Sequence, residues 1–295
     1  MNNAVQKYIR RIITLTDKDM GRDLSSSPRY VYNRVEYKLN EYDPTIGLNT
    51  IGDLLDSSRD IIVKGLVQSD DYLRTIIKHH CPKDIHTGKR NFLSHVFVMK
   101  GETIYGKHTF ILTDAVLNQF PSLEQKIDIT KQALSFFNTF VLPRKEKELQ
   151  DKLINVSNYI PRICFLNHSG HFNLKNKTSC DTLLLVNECE RLGLKGKFYA
   201  SQLDFALSKV SQNIKGAGDT LGLADIIVVN DINEGNSIMK SFLLNGWKCY
   251  GYVLGANRNV VLNSRSNLHQ NIEAVDYLLD ILENGLNDPC VSQED

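Results

Sequence analysis

The chain has 295 residues, enough to bury a sizeable core in one large domain or two of ordinary size. Hydrophobic residues make up 42% and charged residues 23%, and 35 Lys and Arg offset 34 Asp and Glu to a formal charge of +1. That balance gives no electrostatic footprint for DNA or a membrane surface, and the longest apolar runs are strand-sized, far short of a membrane span.

Residues 1–50 carry the weakest pattern. Residues 5–13 fit a short amphipathic helix, the run before Pro28 breaks it, and 33–40 are mostly polar, so this stretch reads as a helical arm or a partly mobile segment. No apolar run in residues 1–23 is long enough for a signal peptide, which makes a cytoplasmic location the expectation. Ile61, Ile62 and Val63 form a short β-branched strand, and Leu73, Ile76 and Ile77 place a helix over 70–79. Two strands are predicted over 93–99 and 109–113, around turns at 100–102 and 105–107. An amphipathic helix follows over 123–140, with Pro121 suited to a helix start, and a charged break covers 143–149.

The second half alternates more cleanly. It reads as strand 162–166, helix 179–192, a strand near Tyr199, and helix 203–214 closed by Lys215 and Gly216. Strand 224–229, helix 236–244, strands 248–254 and 260–262, and helix 271–285 complete the chain. Residues 224–229 are almost wholly apolar and β-branched, as in a strand buried on both faces of a parallel sheet. Strands alternating with helices predict βαβ units and an α/β fold, with ligand sites in loops after the strands' carboxyl ends.

The phosphate-binding GxxxxGK[ST] loop, GxGxxG after a strand, HExxH and GxSxG are all missing from the sequence. ATPase, simple dinucleotide enzyme, zinc protease and α/β-hydrolase readings therefore lack motif support. Four post-strand segments stand out instead: Lys64-Gly65, Thr113-Asp114, residues 230–236 ending in Asn236, and Ser264-Arg265. A helix N-terminus offers free N–H groups and partial positive charge, and Arg adds a bidentate cationic fork, so Ser264 and Arg265 could hold a phosphate. On spacing alone, a Ser-Arg at a helix start is more often a plain N-cap.

The order of these segments resembles the phosphate acetyl/butyryltransferase family. Its ADxxxVP, E.GN and following Lys are matched by residues 224–240, from Ala224 and Asp225 through Glu234, Gly235 and Asn236 to Lys240. Its later glycine strand and TSR are matched by 251–256 and 263–265. Upstream, Ser94-His95-Val96, Thr113-Asp114-Ala115, Pro121 with Leu123 and Lys126, Asp204 with Ala206, and Lys64-Gly65 look like further family signatures. The resemblance runs from about residue 60 to about 282.

It implies two α/β lobes around a cleft, with mostly parallel sheets, helices on both faces and an isocitrate/isopropylmalate dehydrogenase-like fold. The lobes would be 1–140 plus 252–295, and 141–251. It implies transfer of a short acyl group, acetyl or butyryl, between coenzyme A and phosphate, with coenzyme A as a substrate and no cofactor or metal. Ser264 and Arg265 would serve catalysis, Lys64, Gly65, Thr113, Asp114, Asn236 and Lys240 would bind substrate, and the protein would be a homodimer.

The sequence departs from the family pattern in four places. Acetyl-type members carry an Asp seven residues after the Ser, and butyryl-type members one three residues after it; here Asn271 and Asn267 stand there, and an amide cannot take a proton. The family's GLR has no matching Arg near His86 to Lys89. A glycine-proline aligns with Tyr199-Ala200, and two strand-end prolines align with Asn230 and Asn259. The family's first βαβ unit has no counterpart in residues 1–50. His269 either replaces the lost acid or is an exposed residue on a helical turn. His79 and His80, His168 and His171 read as structural or solvated, and the six cysteines, spread with no CxxC, as reduced and mostly buried. Three function classes remain: the acyltransferase, a catalytically degenerate relative acting as a binding or regulatory protein, and a hydroxyacid dehydrogenase whose metal-binding aspartates cannot be assigned.

Overall fold

The computed structural model describes residues 12–17, 37–42, 61–64, 69–103, 106–145, 159–168, 173, 175–216, 222–257, 259–264, 270–271 and 273–278. In chain order the elements are β1 (Ile12–Asp17), β2 (Tyr37–Tyr42), β3 (Ile61–Lys64), α1 (Ser69–His80), β4 (Ser94–Thr103), β5 (Gly106–Thr113) and α2 (Leu123–Phe136). Then come β6 (Arg162–Leu166), α3 (Lys177–Arg191), β7 (Lys197–Ser201), α4 (Leu203–Leu207), α5 (Lys209–Ile214), β8 (Ile226–Val228), α6 (Ile232–Leu244), β9 (Lys248–Leu254) and β10 (Asn259–Val261). Residues 270–271 and 273–278 are also helical, and the second of these runs is α7.

The chain divides into two compact units, Met1–Leu93 with Tyr250–Asp295, and Ser94–Cys249. The second boundary falls two residues from the expected one, but the first precedes the β4–β5 hairpin instead of following residue 140. The reason is pairing: β5 runs parallel to β8, so hairpin and α2 go with the later strands. In the first unit the strand order is β2-β1-β3-β10-β9, parallel throughout except where β10 meets β9. In the second it is β4-β5-β8-β6-β7, parallel except for the hairpin. Residues 12–42 therefore supply two parallel strands where the sequence predicted a helical arm or mobile segment without βαβ character. Residues 1–11 and 18–36 lie outside the described residues.

Burial explains these assignments. Ala224 and residues 226–229 are at most 2% exposed, the doubly covered strand that their composition predicts. The hairpin is longer than expected because Gly101, read as a turn, lies inside β4. A Cβ there would come within 2.2 to 2.7 Å of the Trp247 ring, which packs edge-on against Phe110 and Phe242. The glycine makes room for the indole. Helix α2 opens on a capping box between Ser122 and Gln125 and passes at Phe137 into a π-helical turn, Phe137–Val141. The helix expected over 203–214 is broken by extended Ser208, whose hydroxyl caps α5. Cys164, Cys189 and Cys249 are buried small hydrophobes, their thiols pushed up to about 12, 11 and 12 by burial.

The amino ends of β6 and β8 carry a buried ion cluster. Asp225 is fully buried and accepts from Lys145 Nζ, from the Tyr159 hydroxyl at 2.8 and 2.9 Å, and from the Arg162 amide at 2.9 Å. The residues read as a charged break thus send Lys145 inward. Beside it, His108 Nε2 lies 3.1 Å from the Ala224 carbonyl, a contact that neutral imidazole makes by donating. Burial first, and then Lys145, pushes the His108 pKa down to about 4. The unfolded chain protonates near pH ~6.5, so neutral His108 contributes stability that is complete above that pH and is lost as pH falls towards 4. Chemical denaturation should show wild type losing up to about 1.4 kcal/mol per pH unit through this group, a slope that His108→Gln removes. Equal pH dependence in the two proteins would refute the assignment.

Candidate functional site

In the first unit, β3 and β10 are parallel neighbours in the register Val63↔Val261. Lys64 and residues 262–264 therefore leave the sheet side by side. The buried Tyr72 hydroxyl, from α1, contacts the Ile62 and Val261 carbonyls at 3.2 and 3.1 Å and ties both strands to the helix. Lys64 is 1% exposed and Ser264 is half-buried. Asn263 Oδ1 accepts from the Gly251 amide at 2.6 Å, which fixes the chain immediately before Ser264. Gly65, Arg265, Ser266, Asn267 and His269 lie outside the described residues.

Asn271, read from the sequence as a vacated acid, has a definite occupation here. It is 4% exposed, in the helical pair 270–271, and donates Nδ2–H to the Lys64 carbonyl at 2.7 Å. A carboxylate there would have no proton to give and would oppose a carbonyl oxygen. The Asn271→Asp variant should therefore be less stable by about 1–3 kcal/mol at neutral pH, the cost of a buried group left unmatched. Its carboxyl needs a proton to bond Lys64, so its folded pKa lies above the unfolded value of ~3.9. The penalty is small below that value and grows as pH rises through the folded pKa. Denaturation at pH 5 and pH 8 should show the larger loss at pH 8; an equal loss at both would remove this account.

In the second unit, β5, β8, β6 and β7 bring their carboxyl ends to one edge. Thr113 is fully buried and its hydroxyl donates to the His95 carbonyl at 2.8 Å. Asp114, 2% exposed, accepts from the amides of His95, Val116 and Leu117 at 3.1, 3.1 and 2.9 Å and from Asn118 Nδ2 at 2.6 Å. Burial raises its pKa, and these four donors oppose the rise. Both residues thus shape the turn after β5. Asn236 is half-buried on the first turn of α6, and Lys240 is exposed one turn later on the same face. The structure brings Lys64, Ser264 and Asn271 together in one unit, and Thr113, Asp114 and Asn236 in the other.

Three further residues of this edge went unassigned in the sequence reading. Lys126 is 7% exposed, with Nζ 3.4 Å from Asn230 Oδ1; burial lowers its pKa, while Asp181, Glu234 and Asp231 oppose that. Glu234 accepts from the Asn230 amide at 2.6 Å and from Asn230 Nδ2 at 3.0 Å, and burial raises its pKa. A signal for Lys126 was present: it shares the helical face of Ile129, Thr130 and Ala133, all buried. Among the described residues no group of three His, Cys, Asp or Glu could hold a metal ion, and no helix is long and apolar enough to cross a membrane.

Comparison with known proteins places this architecture. No protein-family model matches the chain. It is 28% identical over 215 residues to a phosphate butyryltransferase of Clostridium acetobutylicum, covering 72% of this chain and 64% of the relative. It is also 28% identical over 213 residues to a phosphate acetyltransferase of Rhizobium meliloti, covering 70% and 60%. The chain is similar to phosphate acetyl- and butyryltransferases. The matched region spans less than two thirds of either relative's length. The fold agrees: a branched-chain phosphotransacylase from Enterococcus faecalis superposes with a TM-score of 0.64 at 23% identity, covering 91% of this chain and 99% of that one.

Proposed function

We propose that the protein transfers a short acyl group, acetyl or butyryl, between coenzyme A and phosphate. The observation that carries this reading is the relation to phosphate butyryl- and acetyltransferases, joined to polar residues at the carboxyl ends of parallel strands in both units. In one direction a phosphate oxygen attacks the thioester carbon, a C–O bond forms, the C–S bond breaks, and the thiolate leaves. In the other, the thiolate attacks acyl phosphate and phosphate departs. Both directions pass through an oxyanion and carry charge on phosphate, which Arg265 neutralises and Ser264 supports with a neutral hydrogen bond. His269 is a candidate to take the thiol proton, because the amide at Asn271 cannot. Lys64, Gly65, Thr113, Asp114, Asn236 and Lys240 shape or line the substrate loops. Coenzyme A is a substrate here, the chemistry needs no metal, and a cytoplasmic location suits both substrates.

Release of free thiol from acetyl-CoA or butyryl-CoA in the presence of phosphate tests the reading. Arg265→Ala should cut the rate about 100-fold or more, the usual scale for losing a charged transition-state donor. Ser264→Ala should cost less. In the acyl phosphate direction the rate should rise towards pH ~8.5, where the coenzyme thiol ionises. A folded protein that neither releases thiol nor binds coenzyme A would end the proposal.

Assembly is part of the same reading: a homodimer formed through the second unit. Leu184 and Leu192 on and beside α3, and Val210 and Ile214 on α5, are exposed apolar side chains that such an interface would cover. Light scattering at micromolar concentration should give twice the 33.5 kDa chain mass; a monomer would count against the dimer.

A further inference from the structure

The first turn of α6 is held by groups that the proposed chemistry does not use. Asn230 makes four hydrogen bonds at the end of β8. Its amide donates to Glu234 Oε2 at 2.6 Å, and Nδ2 donates to Glu234 Oε2 and to the Leu166 carbonyl, both at 3.0 Å. Its Oδ1 faces Lys126 Nζ at a longer 3.4 Å. One side chain therefore joins α6 through Glu234, the end of β6 through Leu166, and α2 through Lys126. Asp231 adds the N-cap, accepting from the amides of Asn233 and Glu234 at 2.8 and 3.0 Å.

The turn has no room to move towards β5. A Cβ on Gly235 would lie 2.7 Å from Ala115 Cβ, 2.8 Å from Ala115 Cα and 3.0 Å from Val229 Cγ2. The Ile232 amide also donates to the Gln119 carbonyl at 3.2 Å. The electrostatics make the arrangement mutually dependent. Lys126 is buried beside Asp181, Glu234 and Asp231, with Lys177 as the opposing cation, so Glu234 is one of three carboxylates that offset its burial, while Glu234 is offset by its two Asn230 hydrogen bonds and by Lys126.

The family resemblance puts a proline at position 230. Proline has no N–H and no side-chain amide, so it can make none of these four contacts. We infer that Asn230, Glu234 and Lys126 are positioning residues, a hydrogen-bonded lock standing in for the strand-end proline and fixing where α6 presents Asn236 and Lys240. The inference rests on the proposed reading of those two residues as substrate-binding. It makes restoring the family residue harmful in this chain, because the neighbours here are built around an asparagine.

Two measurements on the full chain test it. Hydrogen–deuterium exchange of amides 231–236 in the free protein should speed up about tenfold or more in Asn230→Pro and Glu234→Ala, the scale of one lost buried hydrogen bond. Glu234→Gln keeps an acceptor for the Asn230 amide and should stay within about threefold of wild type. In the thiol-release assay, Asn230→Pro and Glu234→Ala should raise the KM for acyl-CoA about fivefold or more, with kcat within about twofold, the signature of displaced binding groups. Lys126→Met carries the same test should Asn230→Pro fail to fold. Unchanged exchange in Glu234→Ala overturns the lock whatever the activity, and faster exchange with unchanged KM overturns its positioning role. Wild type without acyl transfer removes the proposed function and, with it, the link to substrate; faster exchange in the variants would still establish the lock itself.

Discussion

Parallel strands buried on both faces leave their peptide groups no recourse to water, so every strand end must find its partners inside the protein. In the second unit this requirement falls on one edge, where β5, β8, β6 and β7 all finish. Backbone continues the ladder where it can, as the Val229 amide does to the Thr113 carbonyl at 2.8 Å and the Asn167 amide to the Ser201 carbonyl at 2.9 Å. Beyond that point side chains take over. Asp114 gathers the amides of the turn after β5, and Asn230, at the end of β8, donates to the Leu166 carbonyl and the Glu234 carboxylate. The opposite ends of the strands meet the same demand with one fully buried carboxylate, Asp225, which collects a lysine, a tyrosine hydroxyl and a backbone amide. The polar residues that look like chemistry in the sequence are, in large part, what the buried sheet needs for its own ends.

That double duty bears on the site itself. Asn271 illustrates it in the first unit. A position where the family resemblance leads one to expect an acid here holds a carbonyl of the neighbouring strand, and an amide, unlike a carboxylate, has a proton to donate. The same holds for Asn230, where the resemblance implies a proline and the asparagine belongs to a network with Glu234 and Lys126. Each departure taken alone looks like loss of function. With its partners visible, each is a substitution whose neighbours match it.

Much of the architecture was legible in the sequence. The strand 248–254 was read with the observed bounds, and 224–229 was read as doubly buried from its composition alone. The misreadings have particular causes. In β2 the polarity of Lys38, Asn40 and Glu41 hid a strand that is the outermost of its sheet among the described residues, a place where polar residues are tolerated. Gly101 read as a turn because local rules cannot see Trp247, nearly 150 residues further along the chain. Lys126 was read only as part of a motif, because a lysine on an apolar helical face shows its carboxylate neighbours only once α3 and α6 are in place.

What the sequence determined by itself is the set of things that depend on near neighbours. These are the alternation of strand and helix, the buried character of the central strands, the capping positions, and the order of polar motifs that points to the phosphate acyltransferases. What only the tertiary structure decided is which polar residues face one another. Asn271 with Lys64 is a pairing across 207 positions, and Lys126 with Asn230 one across 104. Periodicity is a local property, set by the geometry of one helix or strand. A hydrogen bond between distant residues is set by strand order and register, and those are fixed only when the whole sheet has assembled.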